Sequence, residues 1–343
     1  MHQKLTAMAT DTLDSIAKKC GCSVSTVSRV LSGKAHSYRI SEKTEKRVLE
    51  EAGRANYQPS QIAKSLRLGK TDTIGLLIPS IDDTFFSSIT SVIIREARKH
   101  GYKVVSAETQ EDERNELEGL STLMASNVDG IIAIPSGEKS SVYEDVKRRG
   151  IPTVMLDRYY EDIHDIDVVS TDNYQAARMA VDHLVGMGHR RIGCVQGNSD
   201  TVTSRVRARG YRDAMKSHGL EASIMLRGSE FSIESSYDST RDMLSDSCPP
   251  TAILALSNKI LLGAIRSIQE KGLRVPEDIS ILSFDDNSLF NFLSPKITCI
   301  AQPVHEMGLK AVETLIAKIK GETETSRMFL SPSLVIRESV KRI

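Results

Sequence analysis

Along residues 12–31, TLDSIAKKCGCSVSTVSRVL, apolar positions recur at helical spacing in two short runs separated by Gly21. Leu13, Ile16 and Ala17 share one face of the first run, and Val24, Val27, Val30 and Leu31 share one face of the second. Thr12 and Ser23 sit where each run begins, as residues whose hydroxyls can accept from the free N–H groups of a first turn. Gly21 has no Cβ and can take the tight turn between them. Ala17 and Val27 are the sizes expected where two short helices cross closely. This pattern predicts a helix-turn-helix. After the polar connector SGKAHSYRI, Ser41 caps a third helix, SEKTEKRVLEEAGRA, acidic early and striped with Val48, Leu49 and Ala52. Asn56-Tyr57-Gln58-Pro59 stops that bundle. Ser60 then opens SQIAKSLRL, an amphipathic segment too short to hold helix in water without a partner.

From Thr73 the pattern changes. Buried strands are predicted at TIGLLIP, YKVVSAE, DGIIAIP, PTVMLD, RIGCVQG, TAILAL and ISILSFDD. Helices alternate with them, at FFSSITSVIIREARKHG, ERNELEGLSTLMASN, residues 142–149, residues 172–184, residues 203–218, residues 233–244 and NKILLGAIRSIQEKG. Continuous Val/Ile/Leu strands between helices indicate parallel sheets covered on both faces. Two such rounds and a later return segment predict two doubly wound lobes across a cleft. The expected organisation is a small all-α head over residues 1–58, a linker over 59–71 and an α/β body over 72–343. One lobe takes about 72–171 plus 303–331, the other about 172–302 plus 332–343.

Charge sharpens this division. The formal net charge is zero, yet residues 1–70 hold 13 Lys/Arg against 6 Asp/Glu, and the remainder 32 against 39. A basic head on an acidic body is the electrostatic footprint of a polyanion-binding module attached to something else. The five cysteines, Cys20, Cys22, Cys194, Cys248 and Cys299, are odd in number and scattered. They suggest free thiols in a reducing compartment, and Cys20-Gly-Cys22 lacks the second ligand pair of a zinc site. No run is apolar enough to span a membrane and the N-terminus lacks a signal core, so a cytoplasmic protein is expected.

The chemistry falls in two places. The second helix leaves Ser25, Ser28 and Arg29 on polar faces, and a major groove accepts such residues because Arg can fork onto guanine. In the body, ligands should sit outside the carboxyl ends of the strands. The residues there are Ser80, Asp82, Asp157, Arg158, Gln196, Ser257, Asn258, Asp285 and Asp286, with Arg207 on the following helix and Phe85 and Phe86 nearby. Such a set suits a polyhydroxylated ligand: forked hydrogen bonds plus an apolar wall. A helix cap or turn is the plainer role for Asp82, Asp172 and Asn258.

Head, linker and double lobe together resemble the LacI family of lactose- and purine-repressor-type transcription factors. The resemblance runs from about Thr12 to the C-terminus. It is carried by TLDSIAKKCGCSVSTVSRVLSGK, ISEKTEKRVLEEAGRANYQPSQIAKSLRLGKTDTIGLLIP, VDGIIAIP, GHRRIGCVQG, GLRVPEDISILSFDD and IAQPVHEMG. It implies a homodimer reading double-stranded operator DNA, with lobes of the periplasmic-binding-protein type around a small effector. Val24, Ser25 and Arg29 match base-reading positions, with Ser23, Thr26, Ser28 and Tyr57 beside them. Ser60, Ala63, Leu66 and Arg67 match a hinge helix that orders on DNA, Leu66 being the minor-groove wedge. Phe85, Arg158, Arg207 and Asp285 match effector-contacting positions of the family, and with Ser80, Asp82, Phe86, Asp157, Gln196 and Ser257, placed by the strand ends, they form the expected effector set. Arg158 replaces the aromatic residue common in purine binders, so a sugar, sugar acid or sugar phosphate is expected. The connector SGKAHSYRIS is longer than usual, and no leucine-rich tail that would make a tetramer follows SLVIRESVKRI.

The resemblance implies a repressor at the nucleoid, without cofactor, metal or membrane attachment. Two other classes remain to be weighed. A solute receptor would share the lobes but ignore DNA. An enzyme would turn over its ligand, yet the sequence shows no phosphate loop and no nucleophile–base pair at a motif.

Overall fold

A computed structural model of the protein describes residues 12–55, 57, 70–137 and 139–343. The chain divides into two compact units, Met1–Thr71 and Asp72–Ile343.

The first unit holds α1 (Leu13–Cys20), α2 (Val24–Leu31) and α3 (Glu42–Arg54). Each begins on a hydroxyl. Thr12 forms a reciprocal capping box with Ser15, Ser23 accepts from the Thr26 amide at 3.1 Å, and Ser41 accepts from the Thr44 amide at 3.3 Å. Gly21 ends α1 in the left-handed conformation at φ 58°. Ile16, Ala17, Cys20, Val27, Val30, Ala35, Val48 and Ala52 form the buried core. Two predicted core residues lie outside it: Val24 is 39% exposed and Leu49 50% exposed. The seam of α2 against α1 and α3 is Val27–Val30, and Val24, one turn earlier, runs out past it. On α3 the buried pair is Val48 and Ala52, and Leu49 lies about 100° round the helix from Val48.

The second unit contains two six-stranded sheets. The first has the order β11-β5-β4-β3-β1-β2, all parallel. Its strands are β1 (Thr73–Ile78), β2 (Lys103–Glu108), β3 (Gly130–Ala133), β4 (Thr153–Leu156), β5 (Asp167–Thr171) and β11 (Arg327–Leu330). The second has the order β12-β10-β9-β8-β6-β7, from β6 (Ile192–Val195), β7 (Met225–Arg227), β8 (Ala252–Ala255), β9 (Ser280–Phe284), β10 (Thr298–Ala301) and β12 (Ser333–Val335). Only the β10–β12 pairing is antiparallel among these.

Helices α4 (Thr84–Lys99), α5 (Glu113–Ala125) and α6 (Glu144–Arg148) follow strands of the first sheet. Helices α7 (Asn173–Gly186), α8 (Val202–Ser217), α9 (Ile233–Leu244) and α10 (Asn258–Glu270) serve the second, and α11 (Val304–Ile319) returns to pack on α4, β3, β4 and β5. Leu76, Ile132, Val154 and Leu315 lie in one core cluster, and Cys194, Leu254, Leu282 and Tyr211 in another. The chain therefore crosses between the lobes near Thr171, Gln302 and Ser331, and each lobe is assembled from separated segments.

Candidate functional site

The carboxyl ends of β1, β4, β8 and β9 converge on a cavity between the two lobes of the body. Ser80, Asp83, Phe85, Phe86, Glu111, Asp157 and Arg158 line it from the first lobe, and Thr203, Arg207, Phe231, Ser257, Lys259, Asp285 and Gln302 complete the lining. The space enclosed among these side chains is about 50 Å³, smaller than the pockets that usually hold a small ligand.

Three lining residues have left-handed backbones that aim polar groups inward. Asp157 (φ 62°) directly follows β4 and Asp285 (φ 68°) directly follows β9. Glu111 (φ 60°) sits beside Gln110 (φ 53°) in the loop after β2. Positive φ is unusual for residues with a Cβ and persists only where surrounding structure enforces it. Gly197 serves differently: a Cβ there would collide with the Phe231 ring, so the bare backbone after β6 lets Phe231 reach the cavity.

Both buried guanidiniums are already engaged. Arg158 (4% exposed) donates to Glu111 through both terminal nitrogens, at 2.5 and 2.9 Å, and to the Pro135 carbonyl at 3.4 Å. Its guanidinium also lies between the rings of Phe86 and Phe231, 5.5 and 5.2 Å from their centroids. Arg207 donates to Asn173 Oδ1 at 2.6 Å and to the Leu256 carbonyl at 2.8 Å, and stacks 4.3 Å from the Phe284 centroid. Burial opposes the charge on Arg158, but the Glu111 carboxylate outweighs it and holds the guanidinium above its ordinary pKa. Burial lowers Arg207, against the pull of Asp285 and Asp157.

The carboxylates behave conversely. Burial raises Asp157, opposed by Arg207 and Arg158. Burial likewise pushes Asp285 up to about 6, although Arg207 and the Gln302 amide, 2.6 Å away, favour its ionised form. Two buried groups here lack a partner among the described residues, Asp157 Oδ1 and Arg158 Nε. One is an acceptor and the other a donor, the pair a hydroxyl-bearing ligand can satisfy.

Eight residues of the expected effector set line this cavity: Ser80, Phe85, Phe86, Asp157, Arg158, Arg207, Ser257 and Asp285. Asp82 and Gln196 do not. Asp82 is exposed and takes the Lys259 ammonium at 3.2 Å and the Ser80 hydroxyl, while its neighbour Asp83 caps α4 and faces the cavity. Gln196 is held away by donating to the Gly228 carbonyl at 3.2 Å. Asp172 takes the plain role of capping α7, and Asn258 donates across the lobes to Thr84 Oγ1 at 3.0 Å. Glu111, Thr203, Phe231, Lys259 and Gln302 were not expected. Lys259, two residues past Ser257, and Thr203 both sit at the starts of predicted helices, while Glu111 and Phe231 sit in loops and Gln302 follows an unpredicted strand.

In the head, the polar face of α2 carries Val24, Ser25 and Arg29 exposed, with Thr26 and Ser28 half-buried. Ser23 Oγ, besides capping α2, lies 2.8 Å from both Ser25 Oγ and Thr26 Oγ1. Arg29 is stacked 4.1 Å from the Tyr38 ring centroid. Tyr57 packs against the head core rather than standing clear of it. Ser60, Ala63, Leu66 and Arg67 lie outside the described residues.

Residues 71–339 match the profile of periplasmic binding proteins and the sugar-binding domain of the LacI family, and residues 12–60 match that of bacterial regulatory proteins of the lacI family. The chain belongs to the LacI family. A LacI-family relative, the ribose operon repressor of Haemophilus influenzae, is 32% identical over 335 residues, covering 96% of this chain and 98% of the other. The lac repressor dimer bound to operator and the anti-inducer ONPF superposes with a TM-score of 0.87 at 28% identity, over 96% of this chain and 99% of that one. A LacI-family regulator from Enterococcus faecium with bound ribose gives 0.72 at 27% identity, over 79% of this chain and 99% of that one. As a LacI-family member, this protein is a DNA-binding transcriptional regulator with a small-molecule effector, and its relatives are regulators rather than enzymes.

Proposed function

We propose that the protein is a dimeric, cytoplasmic repressor whose operator affinity is set by a neutral monosaccharide held between the lobes. The observation that carries the effector class is the engagement of both cavity guanidiniums by protein acceptors, Arg158 by Glu111 and Arg207 by Asn173 and Leu256. A sugar acid or sugar phosphate would need an unclaimed cation, yet the third cavity cation, Lys259, is paired with Asp82 at 3.2 Å, and the anion would meet Asp83, Glu111, Asp157 and Asp285 around it. A neutral sugar instead finds acceptors in Asp157 and Asp285, donors in Arg158 and Arg207, and apolar walls in Phe85 and Phe86. A purine is disfavoured because the ring faces of Phe86 and Phe231 are occupied by Arg158. The bound ribose of the Enterococcus relative and the ribose operon relatives make pentoses the first class to try.

Val24, Ser25 and Arg29 then face the bases and residues 59–71 form the hinge linker, with a second copy of the chain completing the operator-binding surface. The cavity binds its ligand without turnover. The test is a thermal-shift panel of neutral sugars, sugar acids, sugar phosphates and purines, with Arg207→Ala alongside. A neutral monosaccharide near a hundred times its Kd should stabilise the wild-type body by about 2.7 kcal/mol and leave Arg207→Ala unmoved. Stabilisation only by anions or purines would refute the assignment.

A further inference from the structure

The connector between α2 and α3 is a built turn. The Lys34 amide bonds back to the Arg29 carbonyl at 2.9 Å, and Gly33 takes φ 70° to allow it. Ala35 (1% exposed) is drawn into the head core. A 3-10 turn over His36–Tyr38 follows, closed by Arg39 at φ 52° and by the Ile40 amide on the Ala35 carbonyl at 3.0 Å. Anchored at Ala35 and Ile40, this turn brings Tyr38 back alongside α2. The ring sits 4.1 Å from the Arg29 guanidinium carbon although Tyr38 itself is half exposed.

We propose that Tyr38 is a positioning residue for operator recognition, holding the Arg29 guanidinium in the plane from which it reads a base. The inference rests on the reading of Arg29 as base-facing. A guanidinium has two separable surfaces: its face is used in stacking, its edge carries the N–H fork. Tyr38 takes the face and leaves the edge for the O6 and N7 acceptors of a guanine. A long side chain that would otherwise be fixed only on binding is thus partly ordered beforehand, and it is ordered by a loop that contributes to sequence preference without itself touching a base.

The experiment selects operators from a random-sequence duplex library with the full-length protein. Binding of the enriched site, its single-base variants and non-specific DNA is then measured for Tyr38→Ala, Tyr38→Phe, Arg29→Ala and the Tyr38→Ala/Arg29→Ala double variant. Circular dichroism melts check that each head folds. Tyr38→Ala should lower discrimination at the Arg29-read base pair by about two- to fivefold, the size of an exposed cation–π contact. Non-specific affinity and the salt slope should stay unchanged. Tyr38→Phe should behave as wild type, and Tyr38→Ala should add nothing once Arg29 is gone. Uniform weakening on all DNA, loss in Tyr38→Phe, or additive loss in the double variant would each overturn the proposal, pointing to a phosphate contact or a purely structural role. If Arg29→Ala keeps the enriched preference intact, the base-reading assignment of Arg29 is what fails, and the role of Tyr38 falls with it.

Discussion

On the proposed reading, Glu111 sets the charge of the ligand that the cavity takes, because it pairs with the buried Arg158. Its side chain is 34% exposed, yet both its oxygens bind a guanidinium that is almost fully buried. Replacing it by Gln keeps the shape and a hydrogen-bond acceptor but removes the compensating charge, leaving Arg158 as a buried cation seeking an anion. Glu111→Gln should therefore weaken neutral-sugar binding modestly, by about 1–2 kcal/mol, and gain saturable binding of sugar acids, measured by calorimetry. Retained rejection of anions would show that Arg158 does not set ligand charge. Asp285 supplies a pH dependence. Its folded pKa of about 6 lies above the roughly 3.9 of an unfolded Asp. Its contribution to stability is therefore complete below about pH 4 and is lost as pH rises through about 6. Effector binding should run the other way, since the ionised carboxylate accepts hydroxyls: affinity should fall by up to about tenfold per pH unit below 6. Titrations at about pH 5 and about pH 7.5 check this, and Asp285→Asn should abolish the difference. At this scale the sequence was informative about residues that directly follow strands, such as Asp157, Arg158 and Asp285. It was silent about Glu111 and Phe231, whose arrival depends on a left-handed loop and on a side chain filling the space above Gly197. Asp82 and Asp83 are adjacent carboxylates, and only the helix boundary decides which of them caps α4 and faces inward.

The elements follow local rules closely where the signal is local. Caps at Thr12, Ser23 and Ser41 were legible because a hydroxyl before an apolar-periodic run has one obvious use, and each makes its expected bond. Ser23→Ala should lower the stability of the head by about 1 kcal/mol, read as a lower midpoint in thermal or urea unfolding, because α2 has only eight residues over which to spread the loss. An unchanged midpoint would show that the Ser23 contacts are redundant. Strands were legible where their apolar runs were continuous, as at β1, β3 and β8. Those at β5, β7, β10, β11 and β12 were not, for two reasons. DVVST and TCIA carry polar residues that tertiary pairing buries: Ser170 and Thr298 are fully enclosed. The strands MLR, RMFL and SLV are only three or four residues long, and they gain stability only by adding to a sheet edge already formed. Gln302, which directly follows β10 and donates to Asp285, was hidden for the same reason.

Across the body, direct contacts among the described residues tie the two lobes over the cavity. Lys259 pairs with Asp82, Asn258 donates to Thr84, and Arg205 meets Glu161 at 2.8 Å. The crossings near Thr171 and Gln302 are themselves joined, Thr171 Oγ1 donating to Gln302 Oε1 at 2.6 Å, and Gln302 in turn holds Asp285. On the proposed reading, a ligand on Asp285 would act on the segment where the chain changes lobes. That gives a physical route by which occupancy could bias lobe arrangement, since a ligand shifts only an equilibrium whose states it binds unequally. The basic head and acidic body were legible from charge alone, and two sheet-bearing lobes from the two rounds of strands and helices.

The most direct test is a fluorescence-anisotropy titration of the library-selected operator with the full-length protein, with and without saturating neutral monosaccharides, pentoses first. At least one of them should change the operator Kd by about 5- to 150-fold, the usual range of allosteric coupling, and Arg207→Ala should abolish the change while still binding operator. If every neutral sugar leaves the Kd unchanged, or if only sugar phosphates, sugar acids or purines move it, control of DNA binding by a neutral sugar between the lobes is wrong.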